Sequence, residues 1–412
     1  MHRLPRGTAA ALIGLSLALA GSGAAQASPA PAAASATAGT GDHVRLALAG
    51  SGAARALPAP AAARTGDHVR LALPQPTGPL AVGRDTLHLV DTGRPDPWVP
   101  EAGARELMVS LHYPARGARG RTAPYMTTEE ARAFLEDRDL AGAVPAATLS
   151  GTRTHARPGA APARGTYPLV VLSPGFTVNR ATLTLLAEDL ASRGYVVAAV
   201  DHAHESVGTA FPGGRLLTCA ACGPAEERGY AAVARGRAQD VSFLLDRLTA
   251  RHPAWRHARM IDRTRIGMAG HSIGGASAAT AMAADGRVRA GLSLDGSFQE
   301  PVPAGGLGGR PFMMMGTEEP KDSWVRDWPL LDGWKRWLTV TGSGHFTFTD
   351  IPALADQLDL LPPEEPLSGE VSQRITRRYA AAFFDLHLKG LARPLLDGPS
   401  AEHPEVVFHR SG

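Results

Sequence analysis

Lysine and cysteine are almost missing from this 412-residue chain: Lys321, Lys335 and Lys389 are its only lysines, Cys219 and Cys222 its only cysteines. The basic charge is therefore nearly all arginine, which together with abundant Ala, Gly and Pro reads as codon bias in a G+C-rich genome. With Lys+Arg 42 against Asp+Glu 39, no excess of one sign argues for nucleic acid as a partner. No apolar run reaches the roughly 20 residues a transmembrane helix needs, so stable membrane insertion is not expected. Phosphate loops, dinucleotide fingerprints and metal-ligand clusters are absent too. No cofactor and no metal are expected.

The cysteines stand as C-x-x-C between Gly213-Gly214 and Gly223-Pro224. In a cytosolic thioredoxin-like protein that spacing would suggest redox chemistry. In an exported chain a local Cys219–Cys222 disulfide pinning a loop is the favoured reading. A thiolate metal site would need His202 and His204 as further ligands and is disfavoured. Export itself is read from the N-terminus, where two arginines in the first six residues precede an apolar stretch (9–20) and a small-x-small site, Ala25-Gln26-Ala27. Residues 1–27 form the expected signal peptide, giving a secreted, extracellular protein. No lipobox cysteine follows.

Residues 17–34 (LALAGSGAAQASPAPAAA) recur almost unchanged as 46–63, and 40–48 (TGDHVRLAL) recur as 65–73. Two Ala/Pro-rich copies cannot build a shared core, so 28–65 is expected to be a disordered leader rather than a solenoid. The folded part is expected over 66–412, and the chain's 44% hydrophobic content supports a sizeable core.

From Thr77 onward short apolar segments alternate with helical patterns. Strands are predicted at 86–90, 107–113, 168–172, 195–200, 265–269, 288–294, 311–315 and 337–340. Helices are predicted at 181–193, 225–250, 273–284 and 372–388. Apolar strands joined by crossover helices imply a mostly parallel sheet covered on both faces, an α/β class. The first two strands, with no helix between them, should form an antiparallel edge. Residues 116–165, rich in Gly, Pro and Arg with one helical piece at 128–137, read as a cap-like insertion.

Gly270-His271-Ser272-Ile273-Gly274-Gly275 is G-x-S-x-G set between an apolar run and a small-residue helix. That context lifts a serine nucleophile onto a sharp elbow. An ordinary glycine-rich turn is the bland alternative, and partners downstream in the order acid, then histidine, favour the nucleophile. His345, in Gly342-Ser343-Gly344-His345-Phe346 just past the last core strand, is the candidate base; His387 falls inside a helical pattern and reads as a packed residue. Asp295, ending the strand 288–294, is the favoured acid over Glu318, Glu319 or Asp322 after the next strand, because catalytic groups gather at strand C-terminal ends. The N–H of Ile273 and that of Phe176, in the loop Ser173-Pro174-Gly175-Phe176-Thr177, are the candidate oxyanion donors, Pro174 having none to give. The ring of Phe176 would also wall the acyl pocket. Trp324, Trp328, Trp334 and Trp337, the first pair four apart and the last pair three apart, read as one packing face of a helix. Asp201-His202 reads as structural.

GHSIGG, LSLDG and GSGHF, with YPLVVLSPG and RGYVVAAVDH upstream, resemble the platelet-activating-factor acetylhydrolase-like (plasma type) α/β-hydrolases of secreted actinobacterial proteins. The resemblance runs from about Thr77 to Leu391. It implies the α/β-hydrolase fold and, since the family's acid follows the sixth strand, the triad Ser272, Asp295 and His345. The family usually carries His-Gly in the oxyanion loop, whereas Pro174-Gly175-Phe176 is more similar to the loop of actinobacterial cutinases and polyester hydrolases. The expectation is a serine hydrolase of small-molecule or lipid esters with short acyl groups. A lipase or polyester hydrolase with an open cleft, a silent binding module and a thiol-redox protein are the rivals. The intact Ser, Asp and His argue against the second, and the Gly and Pro around the cysteines against the third.

Overall fold

The computed structural model describes residues 69–117 and 119–409; the expected signal peptide and leader lie outside the described residues. A long strand pair comes first, β1 (Ala81–Pro95) and β2 (Ala104–Ala115), followed by the two-residue β3 (Arg157–Pro158). Then come β4 (Tyr167–Ser173), β5 (Val196–His202) and a small hairpin, β6 (Thr209–Phe211) with β7 (Arg215–Leu217). The remainder is β8 (Ile261–His271), β9 (Val288–Leu294), β10 (Phe312–Gly316), β11 (Lys335–Val340) and β12 (Val406–Phe408).

Ten strands form one sheet in the order β12-β11-β10-β9-β8-β4-β5-β2-β1-β3. The six from β5 to β11 in that order run parallel. β2 lies antiparallel to β5 and β1 antiparallel to β2, as expected of strands joined without a helix. The outermost positions differ from expectation: β3 pairs with β1 at Gly83 and Arg84, and β12 runs antiparallel to β11. Two- and three-residue strands are too short to show a period-2 alternation, so the sequence carries no sign of them.

The strands alternate strictly between two cores because successive side chains point to opposite faces. Leu169 and Val171 pack with Val241, Leu244, Leu248 and Met282 from the helices Ala231–Thr249 and Ile273–Ala284. Val170 and Leu172 pack with Leu186, Leu190, Ile375 and Phe383 from Thr184–Ser192 and Gly369–Lys389. Each such buried side chain contributes roughly 1.5–3 kcal/mol from its removal from water. This is the α/β arrangement that the chain's periodicity implied.

One predicted helix is split. Residues 225–250 form Cys222–Arg228 and Ala231–Thr249, separated at Gly229, whose φ of 83° no helix admits. Cys222-Gly223-Pro224 open the first of these helices rather than lying in a loop. The insertion 116–165 holds the helix Thr128–Asp137, started by a reciprocal Thr127–Glu130 cap, and the short helix Ala146–Ser150. Its Tyr125, Met126, Phe134 and Leu149 pack on Val178, Leu185 and Leu354. The four tryptophans are not one helix face, a correction forced by the strand between them. Trp324 lies in the helix Asp322–Asp327, Trp328 starts a 3-10 turn, Trp334 precedes β11 and Trp337 lies within it. Trp324 and Trp337 meet edge to face at 5.6 Å, while Trp334 packs on Phe383 instead.

Candidate active site

β8 ends at His271 and the helix Ile273–Ala284 begins one residue later, so Ser272 alone makes the turn. Its φ of 55° and ψ of −126° are sterically costly for a residue with a side chain, on the order of 1–3 kcal/mol. The strain is held in place from both sides. Ser272 N–H donates to Leu294 O at 2.8 Å, and Ser272 O accepts from Gly275 N–H at 2.8 Å and Ala276 N–H at 3.1 Å. The turn is so tight that a Cβ on Gly270 would lie 2.2 Å from the Gly274 carbonyl carbon, and one on Gly274 would lie 2.0 Å from Ser173 O. Those two glycines let the elbow close against β4.

β9 delivers Asp295 one position beyond its end, also at positive φ (55°), with its N–H donating to Met315 O at 2.8 Å. β11 leads to the turn His345–Phe348. His345 Nδ1 lies 2.6 Å from Asp295 Oδ2, and His345 Nε2 lies 3.0 Å from Ser272 Oγ. Burial alone would push the Asp295 carboxyl up, but the His345 hydrogen bond, the His345 and Lys321 charges and the Thr317 N–H together hold it below the usual carboxylate range. An ionised carboxylate can only accept, so Nδ1 carries the proton and Nε2 is left to accept from the serine hydroxyl. Ser272, His345 and Asp295 are thus joined by two consecutive hydrogen bonds.

The structure places the competing acids elsewhere. Glu318, Glu319 and Asp322 are exposed, and Glu318 accepts from Gly342 N–H at 3.0 Å. His387 packs against Trp334 and Phe383, its ring pushed down to about 4 by burial and by Arg336. Phe176 and Ile273 come together in one apolar cluster with Ala276, Tyr230, Trp98, Cys219 and Cys222. Among the described residues neither the Phe176 nor the Ile273 N–H is taken by another protein group. Phe176 itself is buried rather than lining an open wall, its ring edge-on to Tyr230 at 5.4 Å. The Cys219 and Cys222 sulfurs are bonded to each other.

Several residues at the site carried no sequence signal. His271, the x of G-x-S-x-G, is fully buried, and its Nε2–H donates to the His345 carbonyl at 2.7 Å. Burial, then the charge of His345, push it down to about 3, so it stays neutral while it holds the base in place. Lys321, expected only as a rare residue, reaches Asp295 Oδ1 at 3.0 Å. Beneath the oxyanion loop lies a buried charged network. Arg237 donates to Pro174 O (2.5 Å) and to Ser173 Oγ (3.2 Å), and pairs with Glu205 at 2.7 Å. Glu205 also pairs with Arg105, and its carbonyl accepts from Thr177 N–H at 3.0 Å. His202 bridges Ser173 Oγ (3.0 Å) and Asp240 Oδ2 (2.7 Å), a second Ser–His–Asp connection with no solvent access. Asp201, beside it, pairs with Arg180.

The fold is that of the α/β-hydrolases, and comparison with known proteins makes the chain a carboxylic ester hydrolase. A family model for platelet-activating factor acetylhydrolase, isoform II, matches residues 66–212. A probable 1-alkyl-2-acetylglycerophosphocholine esterase of Arthroderma benhamiae is 30% identical over 373 residues, covering 82% of this chain and 93% of that protein. The platelet-activating factor acetylhydrolase of Cavia porcellus is 24% identical over 54% of this chain and 58% of its own length. Among solved structures, a ferulic acid esterase from Streptomyces cinnamoneus superposes with a TM-score of 0.74 at 47% identity, over 82% of this chain and 99% of that one. The chain belongs to the platelet-activating factor acetylhydrolase isoform II family.

Proposed function

We propose that this protein is a secreted serine esterase acting through an acyl-enzyme at Ser272. The observation that carries the reading is the continuous hydrogen-bonded line Ser272 Oγ, His345, Asp295, at 3.0 and 2.6 Å. His345 Nε2 takes the hydroxyl proton as Oγ attacks the ester carbonyl. The oxyanion of the tetrahedral intermediate is received by the N–H groups of Ile273 and Phe176, and Asp295 stabilises the imidazolium. The imidazolium then protonates the departing alkoxide, leaving Ser272 acylated. A water molecule, giving its proton to His345, attacks the acyl carbon; the acid leaves and the proton returns to Oγ. Ser272→Ala should lower ester turnover by several orders of magnitude with the melting temperature unchanged; near-normal turnover would remove the serine mechanism. Export rests on residues 1–27, and a mature N-terminus near Ser28 in the culture medium is the expected result.

For the acyl group, a short chain is the first reading, because the buried Phe176 ring and the disulfide-bearing segment crowd the elbow. A second reading, an aromatic acyl group, is supported by the 47% identity to a protein described as a ferulic acid esterase and by Tyr230 and Trp98 beside Phe176. A panel of 4-nitrophenyl acetate, butyrate, octanoate and laurate with methyl ferulate separates the two. Best turnover of laurate or emulsified triglyceride would replace both with an open-cleft lipase or polyester hydrolase.

A further inference from the structure

Asp295 has more partners than a relay acid requires. Oδ2 faces His345, while Oδ1 already accepts from Thr317 N–H at 2.9 Å and Thr317 Oγ1–H at 3.2 Å. Two neutral donors satisfy that oxygen, yet Lys321 Nζ is brought to it as well, at 3.0 Å, with side chains only 7% and 0% exposed. Withdrawing an ammonium from water costs several kcal/mol unless something is gained from it. The chain spends one of its three lysines here, in a sequence that uses arginine almost everywhere else. A compact ammonium fits on one carboxylate oxygen where a planar guanidinium would reach for both.

The backbone fixes the contact. Lys321 O accepts from Trp324 and Val325 N–H as the helix Asp322–Asp327 starts. Trp324 Nε1–H donates to Gly296 O at 2.8 Å, next to the acid. Asp295 and Gly296 are thereby gripped from the same short element.

We propose that Lys321 is a positioning residue for the Ser272–His345–Asp295 relay: it orients and holds the Asp295 carboxylate, and its positive charge beyond that carboxylate sets how far into acid the enzyme still works. The inference rests on the triad reading above. A like charge close behind the relay disfavours the imidazolium relative to the neutral base. A free base is what the first step needs, so the lysine extends activity to lower pH. His271, 4.7 Å from His345 between ring centres, is held neutral by burial. Glu365 packs its carboxylate on Gly344, where an added Cβ would lie 1.7 Å from its Cδ, with Glu364 behind it. Arg138, from the end of the helix Thr128–Asp137, stacks 5.0 Å from the centre of the Phe346 ring. Glu318 binds Gly342 N–H. Of the charged groups among the described residues, only Lys321 touches the far oxygen of the acid.

The test is the pH dependence of kcat/KM for 4-nitrophenyl acetate in wild type, Lys321→Met, Lys321→Gln, Lys321→Arg and Glu365→Gln, read at a wavelength insensitive to product ionisation. The acid limb should move up by about one pH unit in the Met and Gln variants and remain near wild type in the Arg variant. Glu365→Gln, removing a negative charge, should move it the other way. Plateau kcat should fall less than about tenfold, with KM little changed. A limb that stays within about 0.2 units of wild type in Met and Gln, whatever happens to the melting temperature, overturns the proposal and leaves Lys321 a structural ion pair. If neither variant folds, the low-field proton resonance of His345 Nδ1–H in wild type against Lys321→Arg decides: a resonance unchanged in titration supports it and one displaced by a unit overturns it. Turnover surviving in Ser272→Ala would instead bring down the serine reading itself, an outcome distinct from an unmoved limb.

Discussion

Replacing Asp295 with Asn exchanges one carboxylate oxygen for an amide NH₂, and the surroundings decide which one. At the Oδ1 position stand three donors, Thr317 N–H at 2.9 Å, Thr317 Oγ1–H at 3.2 Å and the Lys321 ammonium at 3.0 Å. An NH₂ cannot be placed among donors, so the amide oxygen takes that side and the NH₂ turns to His345 Nδ1. Nδ1 must then accept, the ring proton moves to Nε2, and Nε2–H points at Ser272 Oγ 3.0 Å away. The base is left in the tautomer that cannot take the serine proton. The loss in kcat should approach 10⁴-fold, about 5.5 kcal/mol of transition-state stabilisation. KM should stay within a few-fold, because Asp295 touches no substrate. Stopped-flow or initial-rate assays with 4-nitrophenyl acetate give both constants, and circular dichroism checks the fold. A kcat within tenfold of wild type would refute the reasoning. So would an equal loss in Glu318→Gln, since Glu318 is exposed and accepts from Gly342 N–H.

Phe176→Ala should retain its oxyanion N–H and its activity on acetate esters, gain activity on longer acyl chains, and lose about 3–5 kcal/mol of stability, because the ring is buried against Tyr230; failure of the longer chains to gain would remove Phe176 from the acyl path. Cys219→Ser/Cys222→Ser should cost at most about 2–3 kcal/mol in a denaturant titration, since so short a loop constrains the unfolded chain weakly, and should leave acetate turnover intact. Glu106 is held down to about 2, chiefly by its hydrogen bond from Arg215 and with help from His88. Its folded carboxyl lies below the unfolded one, so its stabilisation is complete above about pH 4.5 and disappears as pH falls toward 2. Glu106→Gln should therefore melt below wild type at pH 6 and together with it near pH 2; a gap that persists in acid would contradict this.

Much of the molecule was legible because the physics involved is local. Leu169-Val170-Val171-Leu172 alternates between two cores, and an apolar strand followed by a crossover helix can only be covered on both faces. The elbow was legible for the same reason. Gly270 and Gly274 are demanded by contacts four residues apart and by β4 passing directly beneath. Chain order then pointed to His345. The break at Gly229 was missed because an isolated glycine inside a helical pattern is often tolerated.

The sequence by itself determined the eight longer strands of the sheet, the tight turn at Ser272 and the set of groups able to meet it, since periodicity and backbone sterics act over a few residues. Tertiary structure alone brought Asp295 rather than Glu318, Glu319 or Asp322 to His345, seated Lys321 behind that carboxylate and His271 against His345, and set Arg237 under Pro174. Those contacts join residues 26 to 74 positions apart. Distance along the chain carries no memory of such contacts. They exist only where parallel strands end side by side and low dielectric makes each charge answer to its neighbours.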